Sequence, residues 1–159
     1  MNFTIITVGK LKEAYLRAGV AEYVKRLQPY GKVTIIELNE EHMPDRPSLA
    51  EKEQALAREG ERLLKQARPN TYLVVLDVQG TSITSEELAA TFDQLGVSGQ
   101  SDITFIIGGA FGLSPAVRQA AKKRLSFSRL TFTHQMVRLI LVEQIYRAIK
   151  IQRHEPYHW

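Results

Sequence analysis

The chain has 159 residues, 44% of them hydrophobic, so a single domain over 1–159 can bury a core, and the lack of cysteine excludes disulfides and thiolate metal sites. No signal peptide opens the chain and no apolar run approaches the roughly 20 residues of a membrane span, which predicts a cytoplasmic protein without a membrane partner. The net charge is +4, but residues 104–159 carry nine Lys or Arg against two acids, an imbalance that fits a nucleic-acid partner or a solvated helix face.

Strands and helices alternate through the first part of the chain. The run at 3–8 is rich in Ile, Thr and Val and predicts a strand that ends at Gly9. Apolar residues at helical spacing predict a helix over 11–27. A second strand is expected at 32–38, followed by a polar, proline-bearing loop.

Two capping boxes mark the starts of the next two helices. In each box a hydroxyl side chain accepts a backbone N–H three residues on, and a glutamate at that position reaches back. Between them the run TYLVVLD is apolar on both faces, as a central parallel strand should be. The boxes are Ser48 with Glu51 and Thr84 with Glu87, the helices are predicted at 48–67 and 84–95, and the strand at 71–77.

A glycine-rich segment follows the next short apolar run. Residues 105–107 predict a buried strand that ends in the sequence GGAFG at 108–112, where glycine lets the backbone approach a neighbour closely. Ser114 and Pro115 then predict a helix start, because serine caps a free N–H and proline lacks one.

The C-terminal third combines an alternating segment with a long apolar helix. Residues 125–132 alternate apolar and polar side chains, which predicts a strand or a tight loop packed beside one. The pattern at 134–151 is helical, but apolar residues cover more than one stripe of it. Such a helix must be buried in the core or against a partner chain.

The order of these elements predicts the fold class. Strands that alternate with helices indicate an α/β protein with a mostly parallel sheet and helices on both faces. No repeat or linker divides the chain.

The glycine segment at 108–112 matches none of the common phosphate-binding motifs. It lacks the spacing of a dinucleotide-binding loop, and Gly9-Lys10 is not followed by the Ser or Thr of a P-loop. The chain also has no zincin or serine-hydrolase motif, so no metal is expected. By composition alone, such a segment is somewhat more often a tight structural turn than a ligand site.

Several ordered motifs together resemble one family. IIGGAFGL, LSFSRLTFTHQMVRLILVEQIYRAIKI and the terminal PYH, with VGKLKE, QPY and LDVQG before them, are similar to the RlmH family of the SPOUT superfamily. Its members methylate N3 of a pseudouridine in 23S ribosomal RNA of the large ribosomal subunit. The resemblance covers the whole chain and implies S-adenosylmethionine as cofactor, a homodimer and a C-terminal trefoil knot, a feature that general folding rules disfavour.

The resemblance also assigns cofactor contacts. These lie at the ends of two strands and in the alternating segment, where open α/β sheets bind ligands. Backbone groups between apolar side chains suit an adenine, although Phe127, Leu130 and Phe132 also suit an ordinary core. The implied contacts are Leu76, Gly108, Phe127, Ser128, Arg129, Leu130, Thr131 and Phe132.

Two positions depart from the family pattern. Thr133 stands where proline is common, which makes the end of the cofactor loop less rigid, although threonine is a good N-cap. Trp159 stands where a basic residue is usual, so a phosphate contact by that terminal charge is not expected.

Candidate catalytic residues lie mainly at the C-terminus. Removal of the N3 proton calls for a base, and His134, His154 and His158 are the candidates. We favour His158 with Tyr157, because a short tail after a buried helix can reach the cofactor of a neighbouring protomer. Arg129 is expected to orient the substrate and Arg153 to hold a phosphate. The alternative is a non-enzymatic RNA-binding or ribosome-associated module.

Overall fold

A computed structural model describes all residues, 1–159, as five strands and five helices in alternation. The strands are β1 (Asn2–Val8), β2 (Lys32–Leu38), β3 (Tyr72–Ser82), β4 (Asp102–Ile107) and β5 (Lys123–Ser126). The helices are α1 (Ala14–Leu27), α2 (Leu49–Gln66), α3 (Ser85–Val97), α4 (Pro115–Ala120) and α5 (His134–Gln152). The predicted α/β class is confirmed.

All five strands are parallel, in the order β2-β1-β4-β3-β5. Because side chains alternate along a strand, β1 sends Phe3 and Ile5 to one face and Ile6 and Val8 to the other. The first face carries α1, α3 and α5 over the larger core, and the second carries α2 and α4. Helices therefore cover both faces, as predicted.

The predicted helix starts are confirmed at atomic detail. Both capping boxes are present, with the Ser48 and Thr84 hydroxyls accepting the backbone N–H of Glu51 and Glu87 at 3.1 Å. Ser114 caps α4 ahead of the proline. The predicted start of α1 is three residues too early, because the 11–13 segment precedes the helix.

Two predicted boundaries near the site differ from the structure. β3 continues past position 77 to Ser82, with a register irregularity between Leu76 and Thr81 where it pairs with β5. β5 ends at Ser126, because the Ser126 hydroxyl donates to the Ser128 carbonyl and the Ser128 hydroxyl accepts the N–H of Leu130, both at 2.9 Å. These local bonds turn the chain out of the sheet, so the tight-loop interpretation holds for 127–133.

Helix α5 is less uniformly apolar in its surroundings than its sequence predicts. Its largest fully buried side chain is Arg138, which donates to Glu37 at 2.6 Å and to the Val8 and Gly9 carbonyls at 3.0 and 2.6 Å. This arginine holds the start of α5 against the carboxyl ends of β1 and β2. Met136 and Ile140, one turn apart, pack against neither core.

None of the helices has both the length and the apolar character needed to cross a membrane.

Candidate active site

A cavity of about 780 Å³ opens beside residues 76–79 of β3, where its pairing with β5 is irregular, and at the carboxyl end of β4. Leu76 pairs with Ile107, the last residue of β4, so the irregular part of β3 lies beside the segment that follows β4. Parallel strands gather their following loops at one edge, which is where ligands bind in open α/β sheets. The third wall is the loop 127–133 after β5, together with the start of α5.

Glycine forms the wall after β4 because there is no room for a side chain. A Cβ atom on Gly108 would lie 2.5 Å from the Gly112 carbonyl oxygen and 2.8 Å from Leu113 Cδ2. Gly112 has φ +89°, a backbone conformation that favours glycine. The turn is closed by a bridge between Gly109 and Gly112. The segment therefore offers bare backbone to the cavity.

Helix α2 packs against this glycine turn through Glu59 and Gly60. Glu59 is buried, and the backbone N–H groups of Glu41 and Gly109 face its carboxylate. Burial raises the pKa of Glu59, and these N–H groups and Arg62 offset only part of that effect. A Cβ on Gly60 would collide with the Ser114 hydroxyl, so α2 and the α4 cap meet at a glycine.

Asp77 is a cavity-lining residue that our sequence interpretation did not single out. Its side chain is 5% exposed and accepts from Arg118 Nε at 3.0 Å, from Arg124 Nε at 3.1 Å and from Arg124 Nη2 at 2.8 Å. The Gln79 backbone N–H donates to its other oxygen at 3.0 Å. The residue ties β3, α4 and β5 together behind the cavity. Its place in LDVQG, at the end of a strong strand, was the available signal.

The surroundings of Asp77 keep it ionised. Burial acts to raise its pKa, but the Gln79 N–H and the guanidinium groups of Arg124 and Arg118 outweigh burial and hold the pKa below its ordinary value. A carboxylate with a depressed pKa stabilises the folded state above its unfolded pKa. That contribution is lost as the pH falls through the folded pKa.

Asp77→Asn is therefore expected to lower the free energy of unfolding by about 2 kcal/mol at neutral pH, because two arginines lose a charged acceptor. Urea unfolding of the variant and of the wild type, from neutral pH down to about pH 3, measures the difference between their free energies of unfolding. That difference should narrow as the pH falls below the ordinary pKa of an aspartate, because the stabilisation by ionised Asp77 is then progressively lost. Asp45 is exposed and provides the control, because Asp45→Asn should change neither the free energy of unfolding nor its dependence on pH. A difference that stays constant with pH would contradict this account.

His134 is the one histidine in the wall of the cavity. It is the first residue of α5, and its Nε2 atom is buried without a hydrogen-bond partner. Burial, and after it the charge of Arg138, lower its pKa. The ring is thus neutral at neutral pH, and a neutral imidazole nitrogen can accept a proton.

The C-terminal tail forms a second polar cluster, outside the cavity-lining set. His158 accepts at Nδ1 from Arg147 at 3.1 Å, since arginine only donates, and its Nε2 lies 2.8 Å from Glu86. Tyr157 lies 2.9 Å from Glu143, which also pairs with Arg147 at 2.7 Å. We call Glu143, Arg147, Tyr157 and His158 the tail cluster.

The tail cluster is held by aromatic and hydroxyl contacts within the same chain. The Tyr157 ring meets Tyr146 edge-on at 4.8 Å, and its hydroxyl is 3.1 Å from that of Tyr23. Burial, with Tyr23 and Glu143 beside it, raises the pKa of Tyr157, so the phenol stays protonated. His154 adopts φ +54° where the chain turns back after α5. The tail is folded onto α1, α3 and α5 of its own chain and is not an extended arm.

The sequence-predicted site residues fall into two groups. Seven of the eight implied cofactor contacts line the cavity: Leu76, Gly108, Phe127, Ser128, Leu130, Thr131 and Phe132. Arg129 belongs to the same loop but does not line the cavity. Tyr157 and His158 belong to the tail cluster, and Arg153 lies over the Tyr30 ring at 4.9 Å. Glu143, Arg147 and Asp77 were missed.

Comparisons with known proteins agree over the whole length. A family model described as "Predicted SPOUT methyltransferase" matches residues 1–158. Proteins named ribosomal RNA large subunit methyltransferase H are 52% identical in Pelotomaculum thermopropionicum, 53% in Bacillus pumilus and 51% in Clostridium acetobutylicum, each over 158 residues and 99% of both chains. These matches favour an enzyme over a non-enzymatic module.

Proposed function

The chain belongs to the RlmH family of SPOUT methyltransferases, and we propose that it transfers a methyl group from S-adenosylmethionine to N3 of a pseudouridine in 23S ribosomal RNA of the large subunit. The observation that carries the proposal is the meeting of three distant segments in one cavity. Residues 76, 108 and 127–132 are far apart in sequence, yet seven of the eight implied cofactor contacts line the same walls.

The shape of the cavity fits such a cofactor. Its volume of about 780 Å³ falls within the range of roughly 300–1,000 Å³ for small-molecule sites. The missing side chain at Gly108 leaves backbone available where a Cβ has no room. Phe127, Leu130 and Phe132 supply apolar surface for an adenine, and the backbone between them supplies hydrogen-bonding groups for its edge. No metal enters the proposal.

The bound cofactor would supply an already activated methyl group, so the protein's part is mainly to position the substrate and accept its proton. Of the histidines in the cavity wall and the tail cluster, His134 has a ring nitrogen without a hydrogen-bond partner, whereas both ring nitrogens of His158 are engaged within its own chain. His134 is neutral and lines the cavity, whereas His158 is held by Arg147 and Glu86 in the tail cluster. We keep His158 with Tyr157 as the proposed catalytic pair, with Arg129 and Arg153 as substrate contacts, because the tail is proposed to act across a dimer.

We propose a homodimer that packs through α5. Met136 and Ile140 lie one turn apart and contact neither core, and Met136 is 39% exposed at the rim beside the cavity. A twofold axis perpendicular to α5 would pack the two copies of this stripe antiparallel and bury them against each other. The tail cluster sits further along the same helix, at positions 143 and 147, so the partner's tail cluster would complete the site.

The knot, the domain organisation, the location and the state of the substrate complete this proposal. The C-terminal helix is proposed to be threaded through an earlier loop as a trefoil knot, and the chain to be a single domain. The cytoplasm, where ribosomes are, is the proposed location. Assembled ribosomes are the proposed substrate, because the basic C-terminal part suits structured RNA.

The experiment that tests the function uses ribosomes from cells that lack this enzyme. The purified protein is incubated with radiolabelled S-adenosylmethionine and with intact ribosomes, isolated large subunits or free ribosomal RNA. We expect label in large-subunit RNA, greatest with intact ribosomes. Mass spectrometry of the digested nucleosides should find methylpseudouridine, whose carbon–carbon glycosidic bond resists the fragmentation that splits methyluridine. Label on any other nucleoside, or none, would refute the proposal.

A further inference from the structure

Most of the positive charge predicted for an RNA partner is already used within the fold. Of the nine Lys or Arg residues after position 103, five pair with acids: Arg118 and Arg124 with Asp77, Arg138 with Glu37, Arg147 with Glu143 and Lys150 with Glu155. The remaining four have no ion-pair partner: Lys122, Lys123, Arg129 and Arg153. The charge imbalance of the sequence therefore overstates the available cations, and only these four are free to meet a polyanion.

Two of the free cations share a second depression. It holds about 350 Å³ and is formed by Gln79, Gly80 and Thr81 from the extension of β3 and by residues 121–124. A Cβ on Gly80 would lie 2.7 Å from the Arg124 backbone, so glycine lets the extension lie directly on β5. Lys122 and Lys123 belong to the second of these two lining segments and supply the unpaired charge of the depression.

No acidic side chain near the depression is free to neutralise Lys122 and Lys123. Asp77 is the acid paired with the wall residue Arg124, and it is shared with Arg118, so one carboxylate faces two guanidinium groups. The depression and its surroundings are therefore net positive, with one further positive charge beyond the two lysines. Ammonium groups are compact donors that bind phosphate as point charges.

The depression adjoins the cavity. Gln79 lines both, and Arg124 in the wall of the depression is bonded to Asp77 in the wall of the cavity. An RNA strand that brings one nucleotide to the mouth of the cavity must lead its backbone away across a neighbouring surface. The depression is such a surface, and its chemistry suits that backbone.

We propose that Lys122 and Lys123 bind phosphodiester groups of the ribosomal RNA beside the target nucleotide. The inference rests on the proposed function for its ligand, but it concerns a separate surface. Phosphate contacts of this kind set affinity and register and carry no base specificity. Each released counterion contributes to the salt dependence of binding, with a slope of roughly 0.7 to 0.9 per phosphate contact.

The test removes the two charges and measures binding directly. The double variant Lys122→Gln, Lys123→Gln keeps Arg118, Arg124 and their pairs with Asp77. The matched control, Lys25→Gln with Lys32→Gln, removes two charges that also lack an ion-pair partner, in the last turn of α1 and at the start of β2. The dissociation constant for large ribosomal subunits is measured over a salt series for all three proteins, and affinity for S-adenosylmethionine is measured alongside.

For the depression variant, the slope of the logarithm of the dissociation constant against the logarithm of the salt concentration should be smaller by roughly 1.5. The variant should also bind large subunits about tenfold more weakly than wild type at the lowest salt concentration. Its affinity for S-adenosylmethionine should equal that of wild type, and the control should keep the full slope. An unchanged slope in the depression variant, or an equal loss in the control, would overturn the phosphate site. Failure of wild-type protein to methylate ribosomes would instead overturn the proposed function, since binding is measured without turnover.

Discussion

Gly108→Val is expected to abolish binding of S-adenosylmethionine while the protein stays folded. Even the first carbon of a side chain would lie 2.5 Å from the Gly112 carbonyl oxygen and 2.8 Å from Leu113 Cδ2. The turn at 108–112 must then move or the branched side chain must enter the cavity, and either change removes the bare backbone wall. Position 108 lies just beyond β4, so the sheet itself keeps its hydrogen bonds. Calorimetric titration should show no measurable heat of binding.

The control for this substitution is another glycine with open space. Gly96 lies near the end of α3, and a Cβ atom added there would have no neighbour within 4 Å, so Gly96→Val should bind the cofactor as wild type does. Circular dichroism and thermal unfolding establish that both variants are folded. Undiminished affinity in Gly108→Val would remove Gly108, and the cavity with it, from the proposed site.

Deletion of residues 154–159 is expected to spare cofactor binding and to remove methyl transfer to ribosomes. The deletion takes away Tyr157 and His158, but none of the residues that line the cavity. Loss of a proton acceptor and of its positioning partner typically lowers a rate by about 10² to 10⁴. The measured quantities are the single-turnover rate with ribosomes and the affinity for S-adenosylmethionine.

Two point variants distinguish a catalytic role of the tail from a purely structural one. Tyr157→Phe keeps the ring that meets Tyr146 at 4.8 Å but loses the hydroxyl near Glu143 and Tyr23, whereas His158→Ala keeps the whole tyrosine. If the tail only supports the fold, both variants should lower the melting temperature and leave the rate of the folded protein intact. Full activity of the deletion variant would exclude the tail from the reaction.

Local sequence signals predicted the elements around the site well. The capping residues Ser48, Thr84 and Ser114 each mark a helix start, because a cap is a bond between near neighbours. The end of β4 at Ile107 also followed from an apolar run that stops abruptly, and the apolar run of β3 ends at Asp77 although the strand itself continues to Ser82. Their adjacency across the sheet follows from parallel pairing, which no local pattern encodes.

Long-range polar contacts were beyond the reach of pattern analysis. Arg138 counts as a surface charge in the sequence, yet it is 1% exposed, because acceptors from Val8, Gly9 and Glu37 meet it from about a hundred or more positions away. Asp77 likewise finds its arginines 41 and 47 positions later. The family resemblance supplied the cofactor contacts. That most of the C-terminal basic residues form ion pairs within the protein could be seen only in the folded chain.

The central claim is that each active site joins the cavity of one protomer to the tail cluster of its partner. Gly108→Val and the tail deletion, each inactive alone, are co-expressed with different affinity tags, and the mixed dimers are purified and assayed for methyl transfer to ribosomes. One of the two sites in a mixed dimer then has an intact cavity from the deletion chain and an intact tail from the other. We predict that purified mixed dimers regain about half of wild-type activity, as one working site in two requires. Mixed dimers as inactive as either parent would contradict the shared site.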